Sequence, residues 1–122
     1  MREIKFRAWD GERIKEVTGV GWIDNEIDYI MTPKYSGPAS DFKLMQYTGL
    51  KDKNGREIYE GDIVKYPHIV GFDDIWKVEF SNGSFVIRET IVKISLRELA
   101  HKNNLEVIGN IYENPELLLL TH

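Results

Sequence analysis

Hydrophobic and polar residues alternate with period two along much of this 122-residue chain. Ile4, Phe6 and Ala8 share one face, and Glu3, Lys5, Arg7 and Trp9 the other, which predicts a half-buried first strand. Asp10-Gly11 then predicts a hairpin turn, because glycine adopts positive φ without steric cost. Ile14 and Val17 mark a less regular strand. Residues 20–23 and 27–31 mark two more, with Asp24-Asn25 between them as a turn. Gly19 and Gly21 are expected to weaken or bulge the strand they flank. Residues 33–40 hold two Pro, one Gly and two Ser, which predicts a connecting loop and a subdomain boundary.

Beyond that loop, residues 42–47 read as a strand, and Asn54-Gly55 is a two-residue type I′ turn signal. Glu60-Gly61-Asp62 forms a tight corner before the β-rich run at 63–66, and 69–74 is a loop. Trp76, Val78 and Phe80 alternate with Lys77 and Glu79. Asn82-Gly83 turns this strand, residues 85–87 return, and 91–94 continue the β pattern. Ser95 and Glu98 have the spacing of a capping box, which with Leu96, Leu99 and Ala100 predicts a short helix over 95–102. Leu105, Val107 and Ile111 mark the last strand, with Gly109 as a bulge or close-packing point. Asn114-Pro115 predicts an N-cap before one helical turn. The fold class is therefore mainly β: small barrel-like β units with one or two short helices, and a Src-homology-3-like pattern in the C-terminal half. The expected division is an N-terminal β subdomain over 1–40 and a barrel-like subdomain over 41–122.

Composition adds exclusions. With 42% hydrophobic and 30% charged residues the chain is an ordinary globular one, and a disordered chain is ruled out. A net charge of −4 argues against a global pull toward nucleic acid or anionic membranes. The absence of cysteine removes disulfides, thiolate metal sites and a cysteine nucleophile. The first residues contain no apolar signal core, and the longest apolar run, 117–120, is far short of the ~20 residues of a membrane helix. The expectation is a cytoplasmic protein with no membrane partner.

Candidate chemistry is sparse. His68, His101 and His122 are scattered, without the converging spacing of a metal site, so neither metal nor cofactor is expected. Asp73-Asp74 lacks the alternating oxygens of a calcium loop, and Asp62 has local backbone amides to accept from. The serines lie in turns or at a cap, and the glycines form no phosphate-binding fingerprint. Aromatics are more suggestive. Trp9, Tyr47, Tyr59, Tyr66 and Tyr112 recur beside Lys5, Arg7, Arg56 and Lys65, a mixture that can stack single-stranded bases or serve as ordinary core and rim of a small barrel. Speculative binding residues are therefore Trp9, Arg7, Tyr47, Tyr59 and Tyr66. Trp9 is expected on the polar face, covered by another layer of its own chain or by a second copy.

Three blocks, Arg-Glu-Ile-Lys-Phe-Arg-Ala-Trp-Asp at 2–10, the run from Met45 to Val64 around Tyr-Thr-Gly-Leu-Lys-Asp-Lys-Asn-Gly, and Glu-Val-Ile-Gly-Asn-Ile-Tyr-Glu-Asn-Pro-Glu-Leu-Leu at 106–118, resemble the YopX family. They stand in the family's order and span nearly the whole chain, while 17–42 and 67–74 carry little of the likeness. The resemblance implies a bacteriophage or prophage origin, a β-rich fold and an uncharacterised role, with no catalytic or ligand-binding residues to carry over. The resulting expectation is a non-enzymatic protein-interaction module that binds a host or phage protein, with homo-oligomerisation as a further partner class. The runner-up is a nucleic-acid-binding small β-barrel.

Overall fold

The computed structural model describes residues 4–67, 74–89, 92–100 and 104–119. The protein is mainly β, with two short helices, as the alternation and turn spacing predict. The chain divides into two compact units, Met1–Tyr47 and Thr48–His122.

In the first unit, β1 (Phe6–Trp9) and β2 (Ile14–Glu16) form an antiparallel hairpin. Asp10 builds its turn: Oδ1 accepts the N–H groups of Glu12 and Arg13 at 2.8 Å each, and Gly11 takes φ of 102°. β3 (Gly19–Ile23), β4 (Glu26–Met31) and β5 (Ser36–Pro38) form a separate three-stranded antiparallel sheet in that order. Asp24 and Asn25 both have positive φ, 50° and 67°, as a type I′ turn between β3 and β4 requires. A bulge between Gly21 and Trp22 shifts the β3–β4 register. A short 3-10 helix (Ala39–Asp41) leads into β6 (Lys43–Lys51), whose first half pairs with β1. Ala8, Ile30 and Phe42 are the buried centre of this unit, with Val17, Val20, Ile27, Ala39 and Leu44 packed against them.

Two expectations change here. Ile4 is 71% exposed, ahead of the β1–β6 register that begins at Phe6. Trp9, expected to be covered, is half-buried on β1, which lies between β2 and β6. Of the expected loop, residues 33–35 stay outside regular structure, while Ser36–Pro38 form β5 and the 3-10 helix begins at Ala39. Pro38 sits on an edge strand, where a missing N–H removes no ladder bond. Gly37 is buried under the Tyr35 ring, where a Cβ would stand 2.8 Å from the phenol oxygen.

In the second unit, β6 continues beside β7 (Glu57–Tyr59). A five-stranded antiparallel sheet is built from β8 (Asp62–Lys65), β9 (Ile75–Ser81), β10 (Ser84–Glu89), β11 (Val92–Ser95) and β12 (Glu106–Asn110), in the order β11-β10-β9-β8-β12. The helices are α1 (Leu96–Ala100) and α2 (Glu116–Leu119). Trp76, Val78 and Ile87 from the sheet meet Leu96 and Leu99 from α1, with Ile58, Val64 and Leu105, in one buried cluster. Burying a large aliphatic or aromatic side chain contributes about 1.5–3 kcal/mol, so this cluster is the main stabilising feature of the unit. Phe80 departs from the alternation: it is 51% exposed, with its ring edge-on to its cross-strand partner Phe85 at 5.0 Å.

Asn82 and Gly83 both have positive φ, 50° and 86°, and close a two-residue hairpin between Ser81 and Ser84. The turn at Asn54-Gly55 is of another kind. Gly55 has φ of 80° but Asn54 does not share the positive φ that type I′ requires. The Gly55 N–H donates to the Asp52 carbonyl at 3.0 Å and the Asp52 N–H to the Arg56 carbonyl at 2.8 Å, the pattern of a longer loop with a glycine bulge. The register shift between Val107 and Gly109 is the bulge expected in the last strand.

Candidate protein-interaction surface

The residues singled out by aromatic and basic character fall into two groups. Arg7, Trp9 and Tyr47 belong to the first unit; Tyr59 and Tyr66 belong to the second. Tyr47 is buried, its amide donates to the Lys5 carbonyl at 2.9 Å, and the Lys5 ammonium lies over its ring at 5.0 Å from the centroid. Arg7 is half-buried in mid-sheet, opposite Glu16 on β2 and Met45 on β6. Tyr66 belongs to the buried cluster of the second unit. Tyr59 is half-buried, and its phenol reaches back toward Glu57 at 3.4 Å. Base stacking needs an accessible ring face. Tyr47 and Tyr66 have theirs turned into the protein.

The polar residues of the family-like blocks do local structural work. Asp52, itself buried, uses Oδ1 to accept from Asn54 and Arg56 and Oδ2 to accept from Val107, each at 2.9 Å. One carboxylate thus shapes the turn after β6 and ties it to β12. Asp62 is buried at the Gly61 corner and accepts the Tyr59 amide at 2.7 Å, the role its place in a turn suggests. Asn110 accepts from Tyr112 and Glu113 and donates its side-chain amide to Glu113. Asn114 differs from expectation: its Oδ1 turns back onto the Asn110 amide at 3.2 Å, while its carbonyl receives the Leu117 N–H at 3.1 Å.

Titration follows the same local logic. The Arg13 and Glu12 amides hold the Asp10 carboxyl below its ordinary range, with Lys15 3.5 Å away. Burial alone would raise Glu79, but its hydrogen bond with Arg88 and the charge of Lys77 outweigh that and hold it low. The hydrogen bond that Tyr35 donates to Asp41, at 3.1 Å, raises the phenol. Among the described residues no three His, Cys, Asp or Glu converge as metal ligands. His68, His101, His122 and Asp73 lie outside the described residues.

Among the described residues the exposed aromatics are Trp22 and Tyr29 on the β3–β4 hairpin, Tyr35 beside it in the first unit, and Phe80 in the second. Sequence reasoning read this hairpin as two strands and did not single out its side chains. Pairing places Gly21, Tyr29 and Pro38 in one row across the sheet and Gly19, Met31 and Ser36 in the next, with Ile23 opposite Glu26. Side chains follow the rows: a Cβ on Gly19 would meet the Met31 methyl at 3.2 Å, and one on Gly21 would meet the Tyr29 Cβ at 3.1 Å. On this outer face Tyr29, Met31, Ser36, Pro38 and Ile23 are exposed, Ile23 at 60%, with Gly19 and Gly21 half-buried; Trp22 beside it is exposed at 62%. Residues 17–33 contain no Lys or Arg, and Asp24, Glu26 and Asp28 are their only charges. The sequence signal was that charge asymmetry around a Gly-Val-Gly-Trp-Ile strand.

Comparison with known proteins places the chain. No curated protein matches it. Among solved structures, protein EF1440 from Enterococcus faecalis is similar with a TM-score of 0.75 at 31% identity, covering 97% of this chain and 99% of that one. Protein yopX from Bacillus subtilis shares the fold with a TM-score of 0.61 at 23% identity, covering 97% of each chain. The family model described as YopX protein matches residues 5–119, so this chain belongs to the YopX family.

Proposed function

We propose that this YopX protein is a non-enzymatic protein-interaction module of phage or prophage origin, acting in the cytoplasm of its bacterial host on a host or phage protein. The observation that carries this reading is the outer face of the β3–β4–β5 sheet. Tyr29, Met31, Ile23 and Pro38 are exposed together, and every charge within the hairpin that carries the first three, Asp24, Glu26 and Asp28, is acidic, with Lys34 beyond its end. An exposed apolar patch rimmed by polar residues marks a protein contact more often than an idle surface. A nucleic acid would meet repulsion from Asp24, Glu26 and Asp28 here. The polar residues that might have served chemistry bond to backbone amides: both carboxylate oxygens of Asp52, Oδ2 of Asp62 and Oδ1 of Asn110.

The test is affinity capture from host lysate with and without nuclease, comparing wild type with the Tyr29→Lys, Met31→Lys double variant. The reading expects a nuclease-resistant protein held by wild type and lost by the variant. Nuclease-sensitive material alone, or equal retention by both proteins, overturns it.

A further inference from the structure

Exposed sheet edges invite pairing, and proteins blunt them with charge, proline or short length. Six strands lie at sheet edges among the described residues: β2, β7, β11, β12, β3 and β5. Five are guarded: β2 carries Lys15 and Glu16, β7 Glu57, β11 Lys93 and β12 Glu106, while β5 is three residues long and ends in Pro38. β3, Gly-Val-Gly-Trp-Ile, has neither a charge nor a proline, and it ends in exposed Trp22 and Ile23.

We infer that β3 pairs antiparallel with β3 of a second copy of this chain, about a two-fold axis at Gly21, to make one continuous six-stranded sheet. The sequence of β3 is complementary to its own reverse in this register. Ile23 falls opposite the partner's Gly19, so the largest aliphatic residue of the outer face meets the residue without a side chain. Trp22 falls opposite the partner's Val20, an aromatic–β-branched pair of the kind that stabilises antiparallel strands. Val20 already packs against the buried cluster of its unit, so the indole extends an existing apolar layer. Faces match as well, because directly opposed residues share a side of the sheet.

Charge fits the same arrangement. Antiparallel pairing sends the acidic tip of each hairpin, Asp24 and Glu26, toward the open end of its partner's hairpin. There Lys15, Glu16, Thr32, Pro33 and Lys34 line a small, largely apolar groove, with two cations against one carboxylate. A second copy thus supplies cations that the hairpin itself lacks. The pair would also double the outer Tyr29–Met31 face, which deepens the interaction-module reading by making the module bivalent.

Two five-residue strands make a small contact, below the usual size of a tight interface, so the association is expected in the micromolar range. Sedimentation velocity from about 5 to 500 μM should show a reversible monomer–dimer equilibrium. Trp22→Lys, at an exposed position, should leave the melting midpoint unchanged and shift the protein to monomer. For geometry, Glu26→Cys can be spin-labelled selectively, because the chain has no cysteine. Four residues along the strand and three strand spacings across it place the two labelled backbones about 20 Å apart. A monomer over the whole range, a dimer unaffected by Trp22→Lys, or a spin–spin distance beyond about 35 Å overturns the inference. Running the Tyr29→Lys, Met31→Lys protein in parallel separates the two ideas. A monomer whose lysate capture still depends on Tyr29 and Met31 removes the dimer and keeps the interaction module. A dimer that captures no protein does the reverse.

Discussion

Gly109→Ala probes the closest approach in the second unit. An added Cβ would stand 2.5 Å from Asn114 Oδ1, 2.8 Å from Cγ and 3.0 Å from Cβ. Rotation of the Asn114 amide cannot relieve the third contact, so the backbone at residue 114 must move. A retreat of about 1 Å restores ordinary van der Waals separation. It also carries Oδ1 out of reach of the Asn110 amide, which it holds at 3.2 Å. Asn110 is buried, so its unsatisfied N–H costs ~1–3 kcal/mol and the overpacking about as much again. Gly109 does not have positive φ, so alanine recovers only ~0.4–1 kcal/mol through the unfolded state. The net loss is about 3 kcal/mol, which for a unit of this size lowers the melting midpoint by roughly 10–20 °C. Thermal and urea unfolding measure it. In an Asn114→Gly background, where the opposing atoms are gone, the further cost of Gly109→Ala should fall below about 1 kcal/mol. A midpoint within about 3 °C of wild type for the single variant, or full additivity in the double, refutes the reasoning.

Other consequences are equally direct. Asp52→Ala strands three backbone amides, including that of Val107, and should destabilise by about 2 kcal/mol or more in urea unfolding, with Asp52→Asn losing less. Gly55→Ala meets no atom within 4 Å, so its loss of about 1–2 kcal/mol comes from left-handed backbone alone, and an unchanged midpoint would show that φ of 80° is not held. Glu79 has a depressed folded-state pKa, so its contribution is fully present above its ordinary value of 4.5 and is lost as pH falls through the lower folded value. Acid unfolding should therefore lose part of its pH dependence below about pH 4.5 in Glu79→Gln, and identical acid profiles would count against the Arg88 pairing. Trp9→Ala should leave self-association intact, since β1 is an inner strand; loss of assembly in a folded Trp9→Ala protein would move the contact from β3 to β1.

Much of the fold was legible because its signals are local. Trp76 and Val78 are buried as alternation requires, Asn82-Gly83 turns its hairpin with two positive φ values, and Leu96 and Leu99 place one face of α1 on the core. What was not legible depends on contacts distant in sequence. Asn54-Gly55 has the composition of a two-residue turn, yet its form follows from Asp52, whose carboxylate is shared with Val107. Residues 33–40 look like a linker, but Gly37 and Pro38 are what an edge strand under a tyrosine ring needs. Aromatic composition directed attention to Tyr47 and Tyr66, which the fold buries, and away from Trp22 and Tyr29, which it exposes. Pattern alone locates strands; whether a strand is inner or outer is decided by sheet order, of which charge and proline give only a partial local sign.

The proposed interaction surface is tested most directly by photo-crosslinking in living bacterial cells. p-Benzoyl-phenylalanine replaces Tyr29 in one protein and Phe80, an exposed aromatic of the second unit, in another. The account predicts a covalent adduct with a protein other than this chain from the Tyr29 position, resistant to nuclease and absent from the Phe80 position. Crosslinking at Phe80 alone, or a Tyr29 adduct that nuclease destroys, would contradict it.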